Sequence, residues 1–149
     1  MPETRNADAT RTRILEAATT EFAAYGLAGA RIDRIAKNAN ANKALIYAYF
    51  GKKDELFDRV VETAFESMHA AVPLHRGDMT AYATTLFDYL TDHPDLLRVD
   101  AWRRLERPAA TKPELDAYTT KVENLTTIRP AYGTHDQVLP ADVIIIVIA

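Results

Sequence analysis

Between Ile32 and Phe50 the apolar residues fall at helical spacing in two short runs, with a polar turn between them. Ile32, Ile35 and Ala36 share one face of the first run, and Arg31, Asp33, Arg34 and Lys37 lie off it. The turn, Asn38 to Ala41, has no glycine. Asparagine is the non-glycine residue that best enters the left-handed region, so Asn40 is expected to make the turn. Asn42 is then a good N-cap for the second run, whose Ile46 and Phe50 stand four apart and point back at the preceding helices. A helix from Asn42 to Phe50, presented outward, makes sense mainly as something inserted into a partner. It spans about 13 Å at roughly 1.5 Å per residue. The major groove of B-DNA is about 12 Å wide and 8.5 Å deep, so such a helix fits there with Ile46 and Phe50 anchoring its back.

The surrounding chain reads as helix after helix, with no convincing strand alternation. Residues 1–9 are polar and are expected to fray. Ile14, Ala18 and Phe22 stand four apart and predict a first helix over Thr10 to Tyr25, ended by Gly26. The second helix covers Ala30 to Asn38. A fourth starts near Lys52 on the stripes Leu56, Val60, Ala64, Met68 and Phe57, Val61, Phe65, and ends before Pro73. Asp78 can cap a fifth carrying Tyr82, Leu86, Phe87 and Leu90, broken by His93-Pro94. Asp95 to Glu106 makes a sixth and Lys112 to Ile128 a seventh, and Pro140 suits the first turn of another. The β-branched run Val143 to Ile148 has no polar face; a partner chain, or residues beyond Ala149, is expected to cover it.

Composition narrows the function. There is no cysteine, so disulfides, thiolate nucleophiles and cysteine-rich zinc sites are excluded. The four histidines show no ligand spacing, and no nucleophile elbow or glycine-rich phosphate loop occurs. The reading is therefore of a non-enzyme with no metal and no cofactor. No secretory leader and no membrane-length apolar run is seen, which makes a cytoplasmic protein the expectation. Net charge is −3, but residues 1–60 carry ten Lys and Arg against eight Asp and Glu, and the remainder eight against thirteen. That asymmetry has the sign expected if the first segment meets phosphate.

TRTRILEAA, EFAAYG, the IA of IDRIAKNA, and NKALIYAYF followed by KKDEL lie in order over residues 10–56. In these marks the chain resembles the DNA-binding domain of TetR-type transcriptional regulators. The resemblance implies an all-α protein: a helix-turn-helix domain over 1–52, with the motif at about 31–50, and a helical regulatory and dimerisation domain over 53–149. It implies a homodimer on a near-palindromic double-stranded operator, most often a repressor released by a small molecule. By position, Asn42 and Lys43 cap the recognition helix and contact phosphate, and Ala44, Leu45 and Ala48 face bases. Tyr47 and Tyr49 take the aromatic positions near the backbone, and Lys53 the phosphate lysine. Arg31 replaces the usual small hydroxyl residue, and Arg34 can reach phosphate or base. Asn40 stands where glycine is usual. Phe65, Met68, Tyr82, Phe87, Trp102 and Tyr118 are candidates for lining a pocket for an apolar or aromatic effector. Two further long helices that form most of the family's dimer interface are expected beyond residue 149. A helical ligand- or protein-binding module without DNA function is the competing reading, favoured by the negative total charge and by the scarcity of donors at Ala44 and Leu45.

Overall fold

The computed structural model describes residues 2–73, 79–107, 115, 116, 119 and 123, the side chains of residues 2–6 and of Met79 excepted. Among the described residues the bounded helices are α1 (Pro2–Gly29), α2 (Ile32–Asn38), α3 (Lys43–Phe50), α4 (Lys53–Ala71), α5 (Met79–Asp92) and α6 (Pro94–Glu106). The expected seventh helix and the element at Pro140 lie almost wholly outside the described residues. No strand occurs among those described.

The helix ends follow local chemistry. α1 starts well before Thr10, because nothing after Pro2 breaks a helix and proline suits the first turn. The missing apolar stripe over residues 3–9 did not mark the absence of a helix. At Gly26 the backbone leaves helical geometry (φ 66°, ψ −178°), where the sequence places a terminator, and one further turn follows to Gly29. α6 begins on Pro94, with proline again at its start. Glu55 accepts the amide of Lys52 at 2.6 Å, while the Lys52 carbonyl accepts from Leu56 at 3.0 Å, so α4 opens with the acidic half of a capping box.

Two compact units are present, Met1–Ala64 with His93–Ala109, and Phe65–Asp92 with Ala110–Ala149. The core of the first contains Ile14, Ala18 and Phe22 of α1, Ile35 and Ala36 of α2, Ile46 of α3, Leu56, Phe57, Val60 and Val61 of α4, and Val99 of α6. Phe22 and Phe57 meet edge to face, with centroids 5.0 Å apart. Each such fully buried large side chain contributes roughly 1.5–3 kcal/mol relative to exposure. In the second unit Val72, Tyr82 and Leu86 are buried.

α6 packs along α1 in the first unit. Trp102 lies against Gly26, where an added Cβ would stand 2.7 Å from its ring. Its indole N–H donates to the Ala23 carbonyl at 3.2 Å. The Glu106 carboxylate accepts from the amides of Leu27 at 2.7 Å and Ala28 at 3.3 Å. The break in α1 exposes a carbonyl on one side and amides on the other, and α6 supplies a partner to both. Arg107, just past α6, pairs with Asp54 and Asp58 of α4 at 3.1 and 3.3 Å. Burial nevertheless pushes the Asp58 carboxyl above its usual range, with Arg107 opposing that shift.

Candidate nucleic-acid interface

Between α2 and α3 the chain closes its turn without glycine. Asn40 adopts φ 49°, and the amides of Ala39, Asn40 and Ala41 donate to Ile35, Lys37 and Ala36 at 2.9, 3.2 and 2.9 Å. Asn42 follows in extended backbone, and its side-chain oxygen accepts the Leu45 amide at 2.7 Å. Both asparagines do what their chemistry suggests.

The cap fixes which face of α3 points outward. Ile46 is fully buried, whereas Asn42, Lys43, Ala44 and Ala48 are exposed and Tyr47 is half exposed at 49%. Leu45, Tyr49 and Phe50 are intermediate, and Tyr49 and Phe50 pack against the core edge, meeting edge to face at 6.3 Å. Ile46 and Phe50 therefore form the back of the helix. The outer face is small and apolar at Ala44 and Ala48, with lysine at one end and tyrosines toward the other.

The cations around this face differ in how firmly they are held. Arg34 is tied inward: its Nε donates to Glu21 at 2.7 Å and its Nη2 to the Gly29 carbonyl at 3.0 Å. Its guanidinium also lies 4.2 Å from the Tyr25 ring centroid. The hydrogen bond to Glu21 raises the Arg34 pKa above its already high ordinary value. Glu21 has a side chain only 3% exposed and also accepts the Arg31 amide at 2.8 Å. Arg31 occupies the N-cap of α2, where an arginine side chain cannot cap, and the Glu21 carboxylate satisfies that amide instead. Glu21 follows Ile14 and Ala18 at helical spacing on the core stripe of α1. An acid on an apolar stripe is the signal by which sequence alone could have found it.

Lys43 pairs with Asp33 of α2, and Arg31 reaches the same carboxylate at 3.8 Å. The hydrogen bond from Lys43 holds the Asp33 carboxyl below its ordinary range. All three groups are at least half exposed, so water and salt weaken these contacts. Lys53 donates to the carbonyls of Ala28 and Ala30 at 3.3 and 3.2 Å, closing the end of α1 with a cation where the helix dipole favours one.

The pocket candidates do not gather in one unit. Tyr82 is buried, and burial raises its phenol pKa. Phe65 and Met68 are intermediate, Phe87 is 70% exposed, and Tyr118 lies outside the described residues. Trp102 belongs to the first unit, where it is taken up by Gly26 and Ala23.

A short helix capped outward on a three-helix support is the architecture of a helix-turn-helix regulator, and comparison with known proteins agrees. Residues 14–60 match the family model of bacterial regulatory proteins, tetR family, and residues 78–149 that of the tetracyclin repressor-like C-terminal domain. Over 109 residues the chain is 48% identical to the HTH-type transcriptional repressor SCO4008 of Streptomyces coelicolor, covering 73% of this chain and 57% of that protein. It is 29% identical over 133 residues to the HTH-type transcriptional repressor NicS of Pseudomonas putida, covering 85% of this chain and 63% of that protein. The crystal structure of SCO4942 from Streptomyces coelicolor superposes with a TM-score of 0.84 at 36% identity, covering 93% of this chain and 75% of that one. The chain belongs to the TetR family of transcriptional regulators, with its all-α fold and N-terminal helix-turn-helix. It spans 57% and 63% of the lengths of these two curated repressors.

Proposed function

We propose that this chain is a DNA-binding transcriptional repressor acting as a homodimer, released from its operator by a small apolar or aromatic molecule. The observation that carries the reading is α3 itself: a helix capped by Asn42, anchored by Ile46, and presenting Lys43, Ala44, Tyr47 and Ala48 to solvent. Lys43 and Arg31 leave Asp33 for a phosphate, and Lys53 approaches the backbone with the donor left over from the carbonyls of Ala28 and Ala30. Tyr47 and Tyr49 lie along the backbone, and Ala44, Leu45 and Ala48 meet thymine methyls or shape the fit. Arg34 holds α2 to α1 through Glu21, so its part is to aim α3. Names of the two matched repressors support the sign of regulation.

Two copies would enter successive major grooves about 34 Å apart on a near-palindromic site. Residues 1–52 form the DNA-binding domain in this reading, and 53–149 belong to regulation and dimerisation. Phe65, Met68, Tyr82 and Phe87 are the effector-site candidates of the second unit. An effector acts only through its differential affinity for the DNA-competent and incompetent arrangements. Work in the cytoplasm follows from the DNA partner.

Electrophoretic mobility of DNA from upstream of the protein's own gene tests the reading. A saturable, salt-sensitive shift is expected. Lys43→Ala should weaken it on every sequence and reduce the salt slope by about 1.8, the signature of one lost phosphate contact in each protomer of the dimer. No shift at low salt with the unaltered chain would refute DNA binding.

A further inference from the structure

One cation beside the recognition helix has no part in the contacts described so far. Arg11, near the start of α1, holds its guanidinium carbon 4.8 Å from the centroid of the Tyr49 ring. The one ion pair it makes among the described residues is to Asp8 on the preceding turn, at 3.5 Å, with both side chains more than half exposed. Neither contact buries the charge, and the ion pair is of the exposed kind that water largely screens. Arg11 is thus oriented by an aromatic face while its N–H groups remain available to solvent.

Its place along α3 is what matters. Lys43 and Arg31 stand at the N-terminal end of that helix and Tyr49 near the other end, roughly 9 Å further along the axis at 1.5 Å per residue. Arg11, on the Tyr49 ring, stands at that other end, so the two cationic ends are separated by much of the roughly 12 Å between the rims of a major groove.

We propose that Arg11, stacked on Tyr49, is a second phosphate clamp that engages the rim of the groove opposite the one held by Lys43 and Arg31. The inference rests on the DNA-binding reading above and adds α1 to the contact surface. A planar guanidinium lying on a tyrosine is preorganised to bind a phosphate with two N–H groups, which a lysine on the same stem cannot do.

Fluorescence anisotropy with a short duplex from upstream of the gene, and with a scrambled duplex of equal composition, tests it across a salt series. Arg11→Ala is expected to weaken both complexes at least tenfold near 0.1 M salt and to lower the salt slope by about 1.8, one contact of about 0.9 from each protomer, with an unchanged melting temperature. Arg11→Lys should keep the slope and recover part of the affinity. Tyr49→Leu, which removes the stacking face together with the tyrosine's own contacts, should cost more affinity in the unaltered chain than in Arg11→Ala. Unchanged affinity and slope in Arg11→Ala, while the unaltered chain binds, would overturn the inference alone. A loss of affinity that tracks a fall in melting temperature, with the slope intact, would assign Arg11 a merely structural role and overturn it too. Absence of binding by the unaltered chain would remove the DNA reading and this inference together.

Discussion

Two of the left-handed breaks in the helix-turn-helix unit, at Asn40 and Gly26, are built on opposite plans. At Asn40 (φ 49°) the break is closed by neighbours: amides and carbonyls from Ile35 to Ala41, then the Asn42 cap on Leu45. At Gly26 (φ 66°) it is closed by α6, whose Trp102 and Glu106 stand 79 residues from their partners Ala23 and Leu27. The first leaves α3 with an exposed face. The second engages its indole and carboxylate to hold α1 against a helix from much later in the chain. A locally closed turn leaves its face for a partner, whereas a break closed from afar makes a rigid joint between distant segments.

The sharpest way to break that contrast is at the joint. Gly26→Ala places a Cβ 2.7 Å from the Trp102 ring on a backbone that L residues rarely adopt. It is expected to cost about 3 kcal/mol in urea unfolding, combining left-handed strain with overpacking. A loss of only a few tenths would mean that α6 yields and the joint is loose. Asn42→Ala tests the local plan: it removes the acceptor of the Leu45 amide and should lower stability by about 1 kcal/mol. It should also weaken DNA binding beyond what a melting curve explains, because α3 loses its fixed start. Smallest is Asn40→Gly, which relieves the left-handed conformation and should raise stability by about 0.5 kcal/mol in the same denaturation assay. A destabilised Asn40→Gly would show that the asparagine side chain, and not only its backbone tolerance, holds the turn.

Much of this was legible beforehand because it is local. The spacing of Ile14, Ala18 and Phe22 placed three fully buried residues correctly, and Asn40 and Asn42 announced the turn and cap that the structure contains. Gly26 was expected as the end of the first helix, and it is indeed where helical geometry fails. The electrostatics were less legible. Arg34 and Lys53 looked like cations waiting for phosphate, but a side chain's charge does not say what lies beside it. Glu21 and the carbonyls of Gly29, Ala28 and Ala30 engage them. Trp102, grouped by its apolar bulk with the pocket candidates, is held by a glycine and a carbonyl of α1.

What the sequence by itself determined is therefore the six helices described, the turn at Asn40, the cap at Asn42 and the family to which they belong. These depend on backbone preferences and on periodicities within a few residues. Only the tertiary structure decided which cations face outward, that α6 closes the break in α1, and that Arg11 stands over Tyr49. Such pairings depend on distances between segments far apart in the chain, and periodicity within one helix carries no information about them. They exist only once the core of Phe22, Ile46 and Phe57 has brought the helices together.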